Sequence, residues 1–125
     1  MKEIGKSNHY LFVYGTLLTT SGHPMHNYLR GYCDFVGPAS IGGIKIDLGE
    51  YPGLIPSGSS CDRVEGELYR IHDGADETLF KGLDHYEGCS EDDPEPHEFF
   101  RHKQDVILAA DQTVHEAWVY LYNGN

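Results

Sequence analysis

Two long strand candidates end the sequence, Phe99–Ala110 and Val114–Tyr122, and only Asp111-Gln112-Thr113 separates them. This feature constrains the fold most. A turn that short makes the two runs pair antiparallel. Trp118, Tyr120 and Tyr122 fall on one face of the second run, Val119 and Leu121 on the other, because side chains alternate along a strand.

The earlier segments supply more strands and two short helices. His9–Tyr14 is rich in aromatic and β-branched residues and reads as a buried strand that stops at Gly15. Thr19–Pro24 reads as a loop, and Pro24 suits the first turn of a helix over Met25–Arg30, closed by Gly31. Tyr32–Val36 is expected as a short strand ended by Gly37-Pro38. Ser40–Leu48 alternates, with Gly42-Gly43 marking a bulge or close approach. Gly49–Gly53 reads as a turn and Leu54-Ile55 as a short extended piece. Arg63–Ile71 alternates well, as a half-buried strand does.

Asp73 is the expected N-cap of a second helix, with Asp76 and Glu77 in its first turn. Leu79, Leu83 and Tyr86 then share one face, and Gly88 is the stop. Ser90–Glu98 is an acidic loop with two prolines. The order predicts an α+β domain over residues 9–125, built on a mostly antiparallel curled sheet or small barrel with two short helices. Residues 1–8 are polar and expected to fray.

Composition narrows the function classes. At 125 residues, 39% of them hydrophobic, one domain with one modest core is expected. There is no room for a dinucleotide-binding domain plus a substrate domain. No apolar stretch is long enough to span a membrane, and Met1–Lys6 lacks the apolar region of a secretory signal, so a soluble, cytoplasmic protein is expected. The formal charge of −11 repels phosphate backbones and anionic headgroups, which argues against nucleic-acid and membrane partners. A small anion can still be held by backbone N–H groups.

Cys33, Cys61 and Cys89 form no CxxC, and an odd count at wide spacing argues against a disulfide framework. Among the eight histidines, His23 and His26 share a helical spacing, while His97 and His102 fall on opposite strand faces. There is no HExxH, and no metal or other cofactor is expected.

Two places carry candidate chemistry. Tyr14-Gly15-Thr16-Leu17 ends the first strand, where a glycine lets the backbone turn and expose successive N–H groups to a carboxylate. Leu83–Gly88 ends the second helix and puts Glu87 where the helix dipole disfavours a carboxylate. Partial burial and the neighbours Asp84 and Glu91 add to an upward pKa shift, which suits a general base near neutrality. A solvated glutamate at a frayed helix end is the plain alternative.

Tyr14-Gly15-Thr16-Leu17, Tyr51-Pro52-Gly53-Leu54, Val64–Tyr69, Leu83–Gly88 and Ala117-Trp118-Val119-Tyr120 occur in one order. That order resembles the γ-glutamylcyclotransferase-like family, from about Tyr10 to Gly124. The resemblance implies a small β-barrel with flanking helices. It implies that Tyr14, Gly15, Thr16 and Leu17 hold the glutamyl α-carboxylate and backbone. Glu87 is then the acid/base, and the substrate's own α-amine attacks its γ-carbonyl. The products are 5-oxoproline and a free amine or amino acid. A small γ-glutamyl amine or peptide is the implied partner, and a monomer or weak homodimer is expected.

The chain departs at Phe99-Phe100-Arg101, where the family often has Tyr-x-Arg: the arginine is kept and the phenol is not. The acidic loop before it is also long, and reads either as a solvated loop or as a lid biased against acidic leaving groups. Two other functions stay open. One is a catalytically silent binding protein for an amino-acid-like ligand. The other is a thiol hydrolase using Cys89 and His85.

Overall fold

The protein is described from a computed structural model covering residues 9–15, 24–49, 52–57, 59, 61–91 and 93–123. The segment 1–8, Thr16 and Leu17 lie outside the described residues. The elements are β1 (Tyr10–Val13), α1 (Pro24–Arg30), β2 (Cys33–Gly42), β3 (Ile44–Asp47), β4 (Pro52–Ile55), β5 (Arg63–Ile71), α2 (Asp76–Glu87), β6 (Phe99–Leu108) and β7 (Val114–Tyr122).

Five strands close into a barrel in the order β1-β5-β2-β6-β7. Every pairing in it is antiparallel except β1 with β7, which run parallel through Tyr10↔Ala117 and Leu11↔Trp118 and close the ring. The strand alternation sorts the side chains into two cores. Phe12, Ile41, Val64, Leu68, Val106, Ala117, Val119 and Leu121 pack together as one cluster. Leu11, Val13, Tyr69, Ile71 and Tyr120 point the other way and pack on Leu29 of α1 and Leu79, Phe80 and Leu83 of α2. Both strand faces are thus apolar, and the helices exist to cover the second one. No helix among the described residues is long and apolar enough to cross a membrane.

Several boundaries differ from expectation, each for a local reason. Tyr32–Val36 and Ser40–Leu48 were expected as separate strands broken at Gly37-Pro38. Instead β2 runs through both residues, because a bulge between Phe35 and Gly37 takes up Val36 as one extra residue without ending the ladder with β5. The break comes at Gly43. Its N–H donates to the Asp62 carbonyl at 2.9 Å. A Cβ there would lie 2.7 Å from the Ile55 carbonyl oxygen, so the chain folds away into the β3–β4 hairpin. Pro52 and Gly53, expected in the turn, belong to β4.

Asp73 does not cap α2. Ala75 occupies that place without a side-chain bond, and Gly74 carries the turn at φ +79°. The Asp73 carboxylate faces Arg70 instead, at 3.7 Å. The first-turn acid Asp76 is paired with His9, which ties the start of α2 to the chain entering β1. The final hairpin turn is longer than Asp111–Thr113. β6 ends at Leu108, Gln112 takes φ 60°, and the Asp111 carboxylate accepts from the Thr113 N–H at 3.0 Å and its hydroxyl at 2.6 Å. That local bonding competes with two more residues of ladder.

Candidate active site

Three glycines bring β1, β4, β5 and β7 close together at the candidate site. Gly15 follows β1 at φ +82°, a left-handed conformation that only glycine adopts freely. A Cβ on it would lie 2.9 Å from Cγ of Pro52. Gly53 on β4 is pressed against Tyr122 of β7, where a Cβ would come within 3.0 Å of that residue's own Cβ. Gly66 on β5 lies under β1, where a Cβ would sit 2.2 Å from the Val13 carbonyl oxygen.

The other side of the site is the C-terminal turn of α2. It ends at Glu87, and Gly88 takes the left-handed conformation that lets the chain leave. The Cys89 N–H then donates to the Asp84 carbonyl at 2.9 Å and the Gly88 N–H to the His85 carbonyl at 3.2 Å. The Asp84 side chain is bound more heavily still. Arg101 donates from Nε to Oδ1 at 2.9 Å and from Nη2 to Oδ2 at 3.1 Å. The Tyr120 hydroxyl donates to the same Oδ1 at 2.6 Å. The guanidinium itself stacks on Phe80 and Trp118, 4.1 and 4.7 Å from their ring centroids. Arg101 and Tyr120 are direct partners in the β6–β7 ladder.

Glu87 is half-buried, and its pKa is pushed up to about 7 by burial first, then by the charges of Asp84 and Glu98. The expected acidic neighbour Glu91 is not among these causes; the third contributor arrives from the lead-in to β6. Glu98 is held there by Asn123, whose N–H donates to the Glu98 carbonyl at 2.6 Å and whose amide donates to the His97 carbonyl at 3.1 Å. Tyr14 closes the site from β1. Its hydroxyl donates to the Tyr120 carbonyl at 2.6 Å. Burial and then the nearby Glu87 charge raise its pKa well above the usual phenol range, so it stays a hydrogen-bond donor.

Of the sequence-selected residues, Tyr14, Gly15 and Glu87 therefore meet at one place. Thr16 and Leu17 lie outside the described residues. Cys89 sits beside the site, but burial, then Asp84 and Glu87, push its thiol up to about 12, which disfavours the thiolate a hydrolase needs. Phe99 is buried with its ring against Tyr122, 5.8 Å between centroids. No group of three or more metal-ligating side chains gathers among the described residues. Sequence reasoning gave no role to Arg101, Tyr120 or Glu98, and saw Asp84 only as an acidic neighbour. The signals in the chain were the spacing of Asp84 three residues before Glu87, which puts both on one side of the helix, and the presence of Arg101 and Tyr120 in the motifs of the family resemblance.

A carboxyl that is half ionised near neutrality can both accept and return a proton, and its charge reaches Tyr14, the residue before the left-handed turn at Gly15. Known proteins share this arrangement of elements. A mouse (Mus musculus) AIG2-like protein superposes with TM-score 0.71 at 23% identity, over 94% of this chain and 78% of its own. YkqA of Bacillus subtilis superposes with TM-score 0.67 at 22% identity, over 94% of this chain, which spans 36% of the YkqA chain. A structure described as gamma-glutamyl cyclotransferase gives TM-score 0.59 at 16% identity, over 92% of this chain and 66% of its own. At these identities the likeness is one of fold. No curated protein matches the sequence significantly. The family profile described as Gamma-glutamyl cyclotransferase, AIG2-like matches residues 11–125. With that match over nearly its whole length and with the shared barrel, the chain belongs to the γ-glutamyl cyclotransferase, AIG2-like family.

Proposed function

We propose that the protein is a γ-glutamylcyclotransferase-type enzyme that works without a cofactor. One observation carries this reading: a half-buried carboxyl, Glu87, with its pKa pushed up to about 7, set beside Tyr14 at the turn that follows β1. The substrate is a small γ-glutamyl amine or peptide. Backbone N–H groups of the turn from Tyr14 to Leu17 hold its α-carboxylate. That placement needs no cationic side chain, so the net charge of −11 is no obstacle.

Glu87 takes a proton from the substrate α-ammonium. The freed amine attacks the γ-carbonyl carbon of the same molecule, and a carbon–nitrogen bond closes the five-membered ring. Glu87 gives that proton to the leaving nitrogen as its bond to carbon breaks and the carbonyl re-forms. The ring nitrogen, left cationic by the attack, gives its second proton to the restored Glu87 carboxylate, which passes it to the departing amine. The α-nitrogen has then lost two protons and the leaving nitrogen has gained two, so 5-oxoproline and an ammonium leave and Glu87 is again a carboxylate. Because the attack is intramolecular, the main task of the protein is to hold the glutamyl chain folded in a near-attack shape.

Incubation with a panel of γ-glutamyl amines and γ-glutamyl dipeptides tests this, with 5-oxoproline release as the readout. Release from at least one of them, lost in Glu87→Gln, supports the enzyme. Binding of the panel without release points to the silent binding protein instead.

A further inference from the structure

We propose that Arg101, Asp84 and Tyr120 are positioning residues that hold the Glu87 carboxyl in place opposite Tyr14 for proton transfer. The inference rests on the proposed role of Glu87. Its observations are independent of any ligand. Glu87 is the last residue of α2, where a helix ordinarily frays. Asp84 lies three residues earlier and is bonded from β6 by both ends of the Arg101 fork and from β7 by the Tyr120 hydroxyl. Arg101 itself packs against both Phe80 of α2 and Trp118 of β7, whose rings touch edge to face. The carbonyl of Tyr120 accepts from Tyr14. A continuous path thus runs from the turn that ends α2, through β7, to the end of β1. These are the two walls of the site.

The same groups set the charge around Glu87. Facing it are Asp84 from its own helix, Glu98 from the lead-in to β6, Tyr14 from β1 and the thiol of Cys89. Arg101 enters through its bond to Asp84 and offsets that carboxylate's field. A bidentate fork is also the geometry that fixes orientation as well as charge. A partner that only stabilises the fold leaves the Glu87 midpoint where it is. Asp84→Asn and Arg101→Met remove charges of opposite sign, so midpoints that move in opposite directions separate positioning of these charges from a merely structural role.

The test is a carbon-13 NMR titration of the Glu87 carboxyl in the wild type, Asp84→Asn, Arg101→Met and Tyr120→Phe. Steady-state kinetics accompany it, on whichever γ-glutamyl compound the wild type turns over. Asp84→Asn is expected to lower the midpoint by about one pH unit, and Arg101→Met to raise it by roughly half a unit or more. Tyr120→Phe is expected to cut kcat about tenfold with KM within about twofold. A downward movement in Arg101→Met, or no movement in either charge variant, overturns the proposal. So does a Tyr120→Phe effect confined to KM. Should Asp84→Asn fail to fold, the direction of the Arg101→Met shift decides. If the midpoints move as expected while the wild type releases no 5-oxoproline, the enzyme reading falls and the charge-setting around Glu87 stands.

Discussion

The Tyr14 hydroxyl donates to the carbonyl oxygen of Tyr120 at 2.6 Å, joining the end of β1 to β7 beside Glu87. This bond is part-buried, so water repays its loss only in part. Tyr14→Phe is expected to lower stability by about 1–2 kcal/mol. Urea denaturation checks this, and an unchanged midpoint would show that the bond contributes nothing net.

Stability should fall as the pH rises through the range where Glu87 ionises. Its folded pKa of about 7 lies above the ordinary 4.5, so the folded chain binds this proton more tightly than the unfolded chain does. The penalty is absent below about pH 4.5, grows between there and 7, and is constant above. At its largest it is about 3 kcal/mol. Glu87→Gln removes it. Thermal melts from pH 5 to 8 should show a smaller loss of Tm in Glu87→Gln than in the wild type, with the variant the more stable at pH 8. Parallel curves would place Glu87 in water.

Gly66→Ala should prevent normal pairing of β1 with β5. The added carbon would meet backbone, the Val13 carbonyl at 2.2 Å, and the Phe12 ring at 2.7 Å. Neither can move without opening the barrel, so a loss of several kcal/mol, or failure to fold, is expected. Gly49→Ala is the control. Its φ of +104° is strained for alanine, but nothing lies within 4 Å, and a loss of about 1 kcal/mol is expected. Equal melting temperatures for the two variants would contradict the close approach.

Alkylation should separate the three cysteines. Cys61 is exposed, whereas Cys33 is buried and Cys89 partly so. The Cys33 thiol is pushed up to about 12 by burial first and then by Asp34 and Asp76. The Cys89 thiol is raised to about 12 as well. Iodoacetamide at pH 8 should modify Cys61 well before the others, read by peptide mass spectrometry. Cys89→Ser should leave turnover unchanged, and a loss of activity would revive the thiol reading.

Strand alternation made most of the fold legible, and for particular reasons. Arg63–Ile71 and Val114–Tyr122 carry a clean period and were bounded correctly from the sequence. The Gly37 bulge was not legible; at Gly43 the glycine pair marked a close approach, which is there, but not the end of the strand, because each depends on what lies across the sheet. Leu68 and Tyr69 sit there for the bulge, and Ile55 and Asp62 for the break. Within the site, Glu87 and the Tyr14-Gly15 turn could be singled out because their local motifs are unusual. The Asp84 clamp could not. A hairpin turned at Asp111–Thr113 puts Ala110 opposite Val114, which shifts the register and moves Tyr120 away from Arg101. The observed turn pairs Ile107 with Val114 and so Arg101 with Tyr120, and only then do both reach Asp84. Glu98 came from the same blind spot, since Asn123 places it.

The proton carried by Glu87 is the centre of the proposed chemistry, and one substitution isolates it. Gln keeps the size and polarity of the side chain and removes its ability to carry a proton. The measurement is 5-oxoproline release by Glu87→Gln beside the wild type, on a γ-glutamyl amine the wild type turns over, with folding checked by circular dichroism. A fall in kcat of about a thousandfold with the fold intact is expected. Turnover within a few-fold of the wild type would contradict Glu87 as the acid/base.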